Sequence, residues 1–229
     1  MPLVAEPIYL DLDGTLVDSV PGIEVSLAHA LAAAGVPARV ADLRPFIGPP
    51  VRQVVAAALP DLEGATLDRI VGHFRDHYDA QGCEASVPWD GVSETLRDLH
   101  DRGHPLYIVT NKPALPTGRI VAFNGWSDLF RAVVAGDRPY APSPGQAFTK
   151  ADRTARLVAE QRLTGGLFVG DGVDDAEAAD RVGARFLLAG WGYGVEKVRR
   201  SHPGARELTR FPDLVSALSG ADRPPRGLE

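Results

Sequence analysis

The stretch Ile8-Tyr9-Leu10-Asp11-Leu12-Asp13-Gly14-Thr15-Leu16-Val17-Asp18-Ser19 constrains this chain more than any other, because an apolar run stops abruptly in two carboxylates and a glycine. Residues 8–10 suit a short strand covered on both faces, and Gly14 permits a sharp turn beyond it. Asp11 and Asp13 then sit at the carboxyl end of a buried strand, where open α/β sheets bind ligands. Two carboxylates about 4 Å apart repel by roughly 4 kcal/mol at an intermediate effective dielectric. The pair therefore needs a shared proton or a cation, and a cation is expected. A strand followed by a plain Asp-Gly turn would leave the same local signature, so the case rests on the rest of the chain.

For about seventy residues after this strand the pattern is helical. Gly22 to Gly35 reads as an amphipathic helix, Arg39 to Pro45 as a short segment, Val51 to Leu59 as a second clear helix and Leu67 to Ala80 as a longer one. A four-helix inserted domain is the economical description, with hinges near Leu16 to Pro21 and Gly82 to Pro88. From Trp89 onward helix and strand alternate as in a parallel sheet with crossover helices. The division expected is a core of residues 1–16 and 88–221, a helical cap of 17–87, and a polar, Pro- and Gly-rich tail over 222–229 read as disordered.

At 229 residues, 45% hydrophobic and 24% charged, the chain can bury a core and still carry a small second domain. A net charge of −6 argues against a general nucleic-acid surface. Without a basic leader or a bilayer-spanning apolar run, the chain reads as cytoplasmic, with no membrane partner. The single cysteine, Cys83, reads as an inert thiol. His73 and His77 share a helical face but lack a third ligand, so a solvated surface is expected there.

Two further strand ends carry chemistry. Leu106 to Val109 delivers Thr110-Asn111-Lys112 just before a helix, where a hydroxyl, an amide, an ammonium and free backbone N–H groups can cradle a phosphate. Leu167 to Val169 delivers Gly170-Asp171-Gly172-Val173-Asp174-Asp175, in which Asp171 and Asp175 can approach one cation across the turn into a helix. Asp174 can instead be the N-cap of that helix and receives no metal role. An all-oxygen set of this kind suits Mg²⁺.

Asp-Leu-Asp-Gly-Thr-Leu-Val-Asp-Ser after an N-terminal strand resembles the first motif of the haloacid dehalogenase (HAD) superfamily, in particular its phosphoglycolate phosphatase-like members. Thr110 matches the second motif, and Gly170 to Asp175 is similar to the acidic metal motif. The resemblance implies an α/β fold with a doubly wound, Rossmann-like parallel sheet and an inserted α-helical cap. It implies Asp11 as the nucleophile that attacks phosphorus, Asp13 as acid and base, and Mg²⁺ held by Asp11, the Asp13 backbone carbonyl, Asp171 and, directly or indirectly, Asp175.

The third motif departs from the pattern. Many members carry Lys-Pro-x-Pro after the third strand, where this chain has Ala141-Pro142-Ser143-Pro144. The chain has only three lysines, Lys112, Lys150 and Lys197. Lys150 stands at a helix start, where the macrodipole disfavours a cation unless an anion is near, so it takes the motif lysine's role. The cap loop Pro45 to Arg52 and the Gly190-Trp191-Gly192-Tyr193-Gly194 loop are also similar to these relatives. Arg52 can reach a substrate carboxylate or second phosphate, and a merely exposed arginine is the equal alternative.

The function expected is Mg²⁺-dependent hydrolysis of a small phosphorylated metabolite through an aspartyl-phosphate, with Thr110, Asn111 and Lys150 on the phosphate. A phosphomutase and a non-catalytic phospholigand sensor are the rivals; oligomeric state stays open.

Overall fold

The computed structural model describes residues 5–37, 44, 51–137 and 148–218. The opening strand, β1 (Ile8–Leu10), is followed by β2 (Val17–Asp18), α1 (Val20–Ala33), α2 (Val51–Ala58), α3 (Gly64–Ala80) and β3 (Val87–Pro88). Then come α4 (Val92–Asp101), β4 (Leu106–Val109), α5 (Ala114–Phe123), β5 (Phe130–Val134), α6 (Lys150–Gln161) and β6 (Leu167–Gly170). The chain continues through α7 (Val173–Val182), β7 (Arg185–Ala189), α8 (Val195–Ser201), β8 (Arg206–Leu208) and α9 (Asp213–Leu218).

Six of these strands form one sheet in the order β5-β4-β1-β6-β7-β8, and every pairing in it is parallel. Because side chains alternate along a strand, the sheet has two apolar faces. Ile8 and Leu10 join Leu106, Ile108, Leu167 and Val169 on one face, together with Ile120 of α5 and Leu214 of α9. Tyr9 joins Tyr107, Val109 and Phe168 on the other, against Leu157 of α6 and Ala178 and Ala179 of α7. Helices on both faces explain why β1 is apolar at every position. This is the doubly wound α/β sheet expected, with β1 at its centre and its two neighbours added in opposite directions, the topology that opens a ligand crevice at the carboxyl ends.

The segment between β2 and β3 is helical. Leu67, Ile70, Val71, Phe74 and Tyr78 make the buried stripe of α3 at helical spacing, and Leu27, Ala30 and Leu31 of α1 belong to the same cluster. Its two ends meet: Val17 pairs with Pro88 and Asp18 with Val87 in an antiparallel ladder. Trp89 N–H adds a bond to Leu16 O at 3.1 Å.

Several boundaries differ from expectation. α1 begins at Val20 rather than Gly22 because Pro21 fits the first turn of a helix, where its missing N–H costs nothing. α3 begins at Gly64, one turn before Leu67. His77 is not freely solvated: its Nδ1 lies 3.0 Å from Ser26 Oγ and its ring stacks on His29 at 4.4 Å. Apart from Arg44, the expected segment over 39–45 lies outside the described residues, as do residues 46–50, Ala141 to Pro144 and the 222–229 tail. No described helix is long and apolar enough to cross a membrane.

Candidate active site

The carboxyl ends of β1, β4 and β6 converge with the start of α6, and the side chains there are charged and buried. Asp11 is 6% exposed, Asp171 6%, Asp175 1% and Lys150 4%. Carboxylate oxygens of Asp11, Asp171 and Asp175 all lie within 4.8 Å of one another. Lys150 Nζ donates to Asp11 Oδ1 at 3.0 Å and to Asp175 Oδ1 at 2.7 Å, and lies 3.2 Å from Asp174 Oδ2. Thr149 places this lysine: it caps α6 with a reciprocal pair of bonds to Asp152, so that Lys150 opens the first turn facing the aspartates. The macrodipole penalty at that position is offset by three carboxylates.

Electrostatics follow from burial. The Lys150 ammonium is opposed by desolvation, but Asp11, Asp175 and Asp174 outweigh it and hold it charged well above its ordinary range. Desolvation pushes Asp11 up, against the pull of Lys150 and with added repulsion from Asp174 and Asp13. It pushes Asp171 to about 7, with the Asp11 charge adding and the Gly194 N–H opposing. Asp175 is likewise raised by burial despite Lys150. One ammonium cannot neutralise this set, and the excess negative charge has the chemistry of a hard-cation site.

The loop after β1 is turned back on itself, with Leu12 O accepting from Leu16 N–H at 2.9 Å and Val17 N–H at 3.1 Å. Gly14 has φ +81°, and a Cβ there would stand 2.6 Å from Asp171 Oδ2, so no larger residue fits. The aromatic loop after β7 closes the other side. Gly194 N–H donates to Asp171 Oδ2 at 2.9 Å, and Trp191 Nε1 donates to Thr15 O at 3.1 Å. The Tyr193 hydroxyl donates to Asp18 Oδ1 at 2.6 Å and accepts from Ser19 N–H at 2.9 Å. This loop therefore grips both a member of the acidic cluster and the β2 strand.

The other expected residues are placed as follows. Thr110 is 1% exposed at the end of β4, and its Oγ1 accepts from Lys112 N–H at 3.2 Å. Asn111 donates to Asp174 Oδ2 at 2.6 Å and accepts from Arg153 Nη2. The start of α5 is not a free anion site, because Ala114 N–H already donates to Asp137 Oδ1 at 2.8 Å. Asp174 is not an N-cap: α7 begins at Val173 after Gly172, and Asp174 reaches Asn111 and Lys150 from the first turn. Asp175 Oδ2 accepts from Gly172 N–H at 2.9 Å, so both its oxygens are engaged. Arg52 is not drawn to the acidic cluster; it pairs with Asp68 of α3 at 2.8 Å, both side chains more than half exposed at 51% and 63%.

Arg153 and Tyr78 carried no role in the sequence, and Lys112 was expected only as the ammonium of the phosphate cradle. Lys112 turns away from the expected cradle: its Nζ donates to Asp13 Oδ1 at 2.8 Å, Asp13 Oδ2 at 3.1 Å and the Tyr78 hydroxyl at 2.6 Å. Arg153, 4% exposed, holds the Phe148 and Thr110 carbonyls along with Asn111. The scarcity of lysine pointed to Lys112, and Arg153 lies one turn beyond Lys150; Tyr78 looked like one more core position of α3.

Comparison defines the class. The chain belongs to the haloacid dehalogenase-like hydrolase family, whose model matches residues 8–189. It is 34% identical over 212 residues to a phosphoglycolate phosphatase of Xylella fastidiosa strain 9a5c, covering 91% of this chain and 90% of that protein. A 5'-nucleotidase of Pseudomonas aeruginosa strain PAO1 is 31% identical over 198 residues, covering 85% and 87%. The crystal structure of a predicted phosphoglycolate phosphatase from Haemophilus somnus 129PT superposes with a TM-score of 0.78 at 26% identity, covering 93% of this chain and 97% of that one.

Proposed function

We propose that the chain is a Mg²⁺-dependent phosphomonoester hydrolase, phosphoglycolate phosphatase-like, acting on a small phosphorylated metabolite through an aspartyl-phosphate. The supporting observation is Asp11: a buried carboxylate at the end of the central strand, bonded to Lys150 and gathered with Asp171 and Asp175 within 4.8 Å. A purely structural role does not account for three desolvated carboxylates around one ammonium. Family membership and the names of the relatives agree with the reading.

In this reading an Asp11 oxygen attacks phosphorus in line with the leaving oxygen, and the bond from phosphorus to that oxygen breaks. Asp13 gives its proton to the departing oxygen and then takes one from the water that releases phosphate from Asp11. Thr110, the Asn111 backbone and Lys150 hold the equatorial oxygens. Mg²⁺, when bound, would offset repulsion between Asp11 and the phosphate, held by Asp11, the Asp13 carbonyl, Asp171 and Asp175. The helical segment 17–87 acts as a cap that excludes water and reads the leaving group. Its own Arg52 pairs with Asp68 on the surface of this segment.

The test is release of inorganic phosphate from phosphoglycolate, sugar phosphates, nucleoside monophosphates and an aryl phosphate, with Mg²⁺ and with chelator. Magnesium-dependent release is expected, and the ranking of leaving groups assigns the cap. Folded protein that binds Mg²⁺ but releases nothing would sink the reading.

A further inference from the structure

Asp13 is held by a lysine whose remaining bond goes to the helical segment. Lys112 follows β4 and has a side chain 6% exposed, whereas that of Asp13 is 21% exposed. An ammonium has three N–H donors, and here they meet three acceptor atoms: both Asp13 oxygens and the Tyr78 hydroxyl. Tyr78 is itself 5% exposed and stacks on Phe74, with ring centroids 5.2 Å apart, so the phenol is fixed on α3. Burial opposes the Lys112 charge, but Asp13 and then Tyr78 more than offset it, and the residue stays an ammonium.

We propose that Lys112 is the positioning residue of Asp13, and that Tyr78 makes this positioning depend on where the cap stands. The inference rests on the phosphatase reading above and deepens it. A buried ion pair is weak evidence for a stabilising role, since apolar residues of similar size serve packing as well. What this pair supplies is orientation: two bonds to one carboxylate fix its plane, while about a fifth of the Asp13 side chain stays exposed, at 21%. Tyr78 belongs to α3 and Lys112 to the sheet, so the third bond exists only when the two layers are in contact. Displacing α3 removes one of the three acceptors that hold the ammonium against Asp13.

The consequence is selective. Asp13 matters for esters whose leaving oxygen must be protonated as it departs, and much less for an aryl oxide that leaves as the anion. Loss of general-acid positioning therefore splits the two ester classes, whereas a general loss of structure lowers both together.

The experiment compares wild type with Lys112→Met, Lys112→Arg and Tyr78→Phe on an alkyl phosphate and on p-nitrophenyl phosphate, in Mg²⁺, with folding checked by thermal unfolding. For Lys112→Met, kcat on the alkyl ester falls by about a hundredfold or more and on the aryl ester by less than about fivefold, with KM nearly unchanged. Lys112→Arg recovers part of the alkyl loss. Tyr78→Phe, which keeps the ring and removes only the hydroxyl, loses roughly three- to tenfold on the alkyl ester alone. Equal losses on both esters in Lys112→Met and Tyr78→Phe overturn the inference while leaving the phosphatase reading intact. An unchanged Tyr78→Phe overturns the dependence on the cap. A wild type silent on both esters removes the phosphatase reading and this inference with it.

Discussion

Lys150 and Lys112 are both buried ammoniums that end on aspartates of the first loop, yet they are built differently. Lys150 is surrounded by carboxylates from the end of β1 and the first turn of α7, Asp11, Asp174 and Asp175, all within 3.2 Å. Lys112 has one carboxylate, Asp13, and one phenol from α3. The first cluster draws only on the sheet and the helices α6 and α7 packed on it, and carries excess negative charge; the second is charge-balanced and reaches across to α3. On the proposed reading, this separates a fixed place for attack on phosphorus from a place for proton transfer that depends on the contact with α3.

The largest expected effect tests the fixed side. Asp11→Asn lowers phosphate release by at least roughly a thousandfold while the cooperative thermal transition stays in place, because the buried side chain keeps its shape and loses only a desolvated charge. Unchanged turnover would remove Asp11 from the chemistry. Lys150→Met comes next: stripping the ammonium from buried carboxylates costs about 3–5 kcal/mol of stability in chelator, measured by urea unfolding. Added Mg²⁺ recovers part of that loss, and no recovery would mean that the cation does not occupy this cluster.

A smaller effect distinguishes the clusters by pH. In chelator, Asp171 titrates at about 7 in the folded protein, against about 3.9 in an unfolded chain. Between those values the folded state holds a proton that the unfolded state lacks, so this group makes stability fall as pH rises through that window. Mg²⁺ flattens the slope, and Asp171→Asn flattens it without metal; a slope unaltered by both assigns it elsewhere. The smallest effect is Thr149→Ala, which removes the cap of the helix carrying Lys150 and costs about 1 kcal/mol in urea unfolding. Its activity falls only modestly, and a loss matching Lys150→Met would show that the cap, rather than the ion cluster, positions the lysine.

What could be read from the sequence divides along the same line. Asp11 and Asp171 each follow an apolar run that reads as a strand, and Asp175 stands four residues past Asp171 across the turn into a helix, so their convergence was legible. Lys150 was legible as an anomaly, a cation at a helix start. The Lys112–Tyr78 contact was not, because periodicity assigns Tyr78 to the buried face of α3 without saying which neighbour lies across it. Arg52 illustrates the reverse: its pairing with Asp68 depends on how α2 lies against α3, which neither helix's pattern contains. The start of α1 slipped where Pro21 was taken into a hinge, although the first turn of a helix accepts proline.

The ladder of Val17 with Pro88 and Asp18 with Val87 has a topological consequence. The polypeptide leaves the sheet and returns to it at adjoining points, so the helical segment is grafted onto the sheet as a closed excursion with no net span. The sheet therefore sets only one condition on the insert, that its ends meet. Its length, helix number and lining are free to diverge while the aspartates beneath keep their coordinates, so one reaction centre can be paired with many substrates.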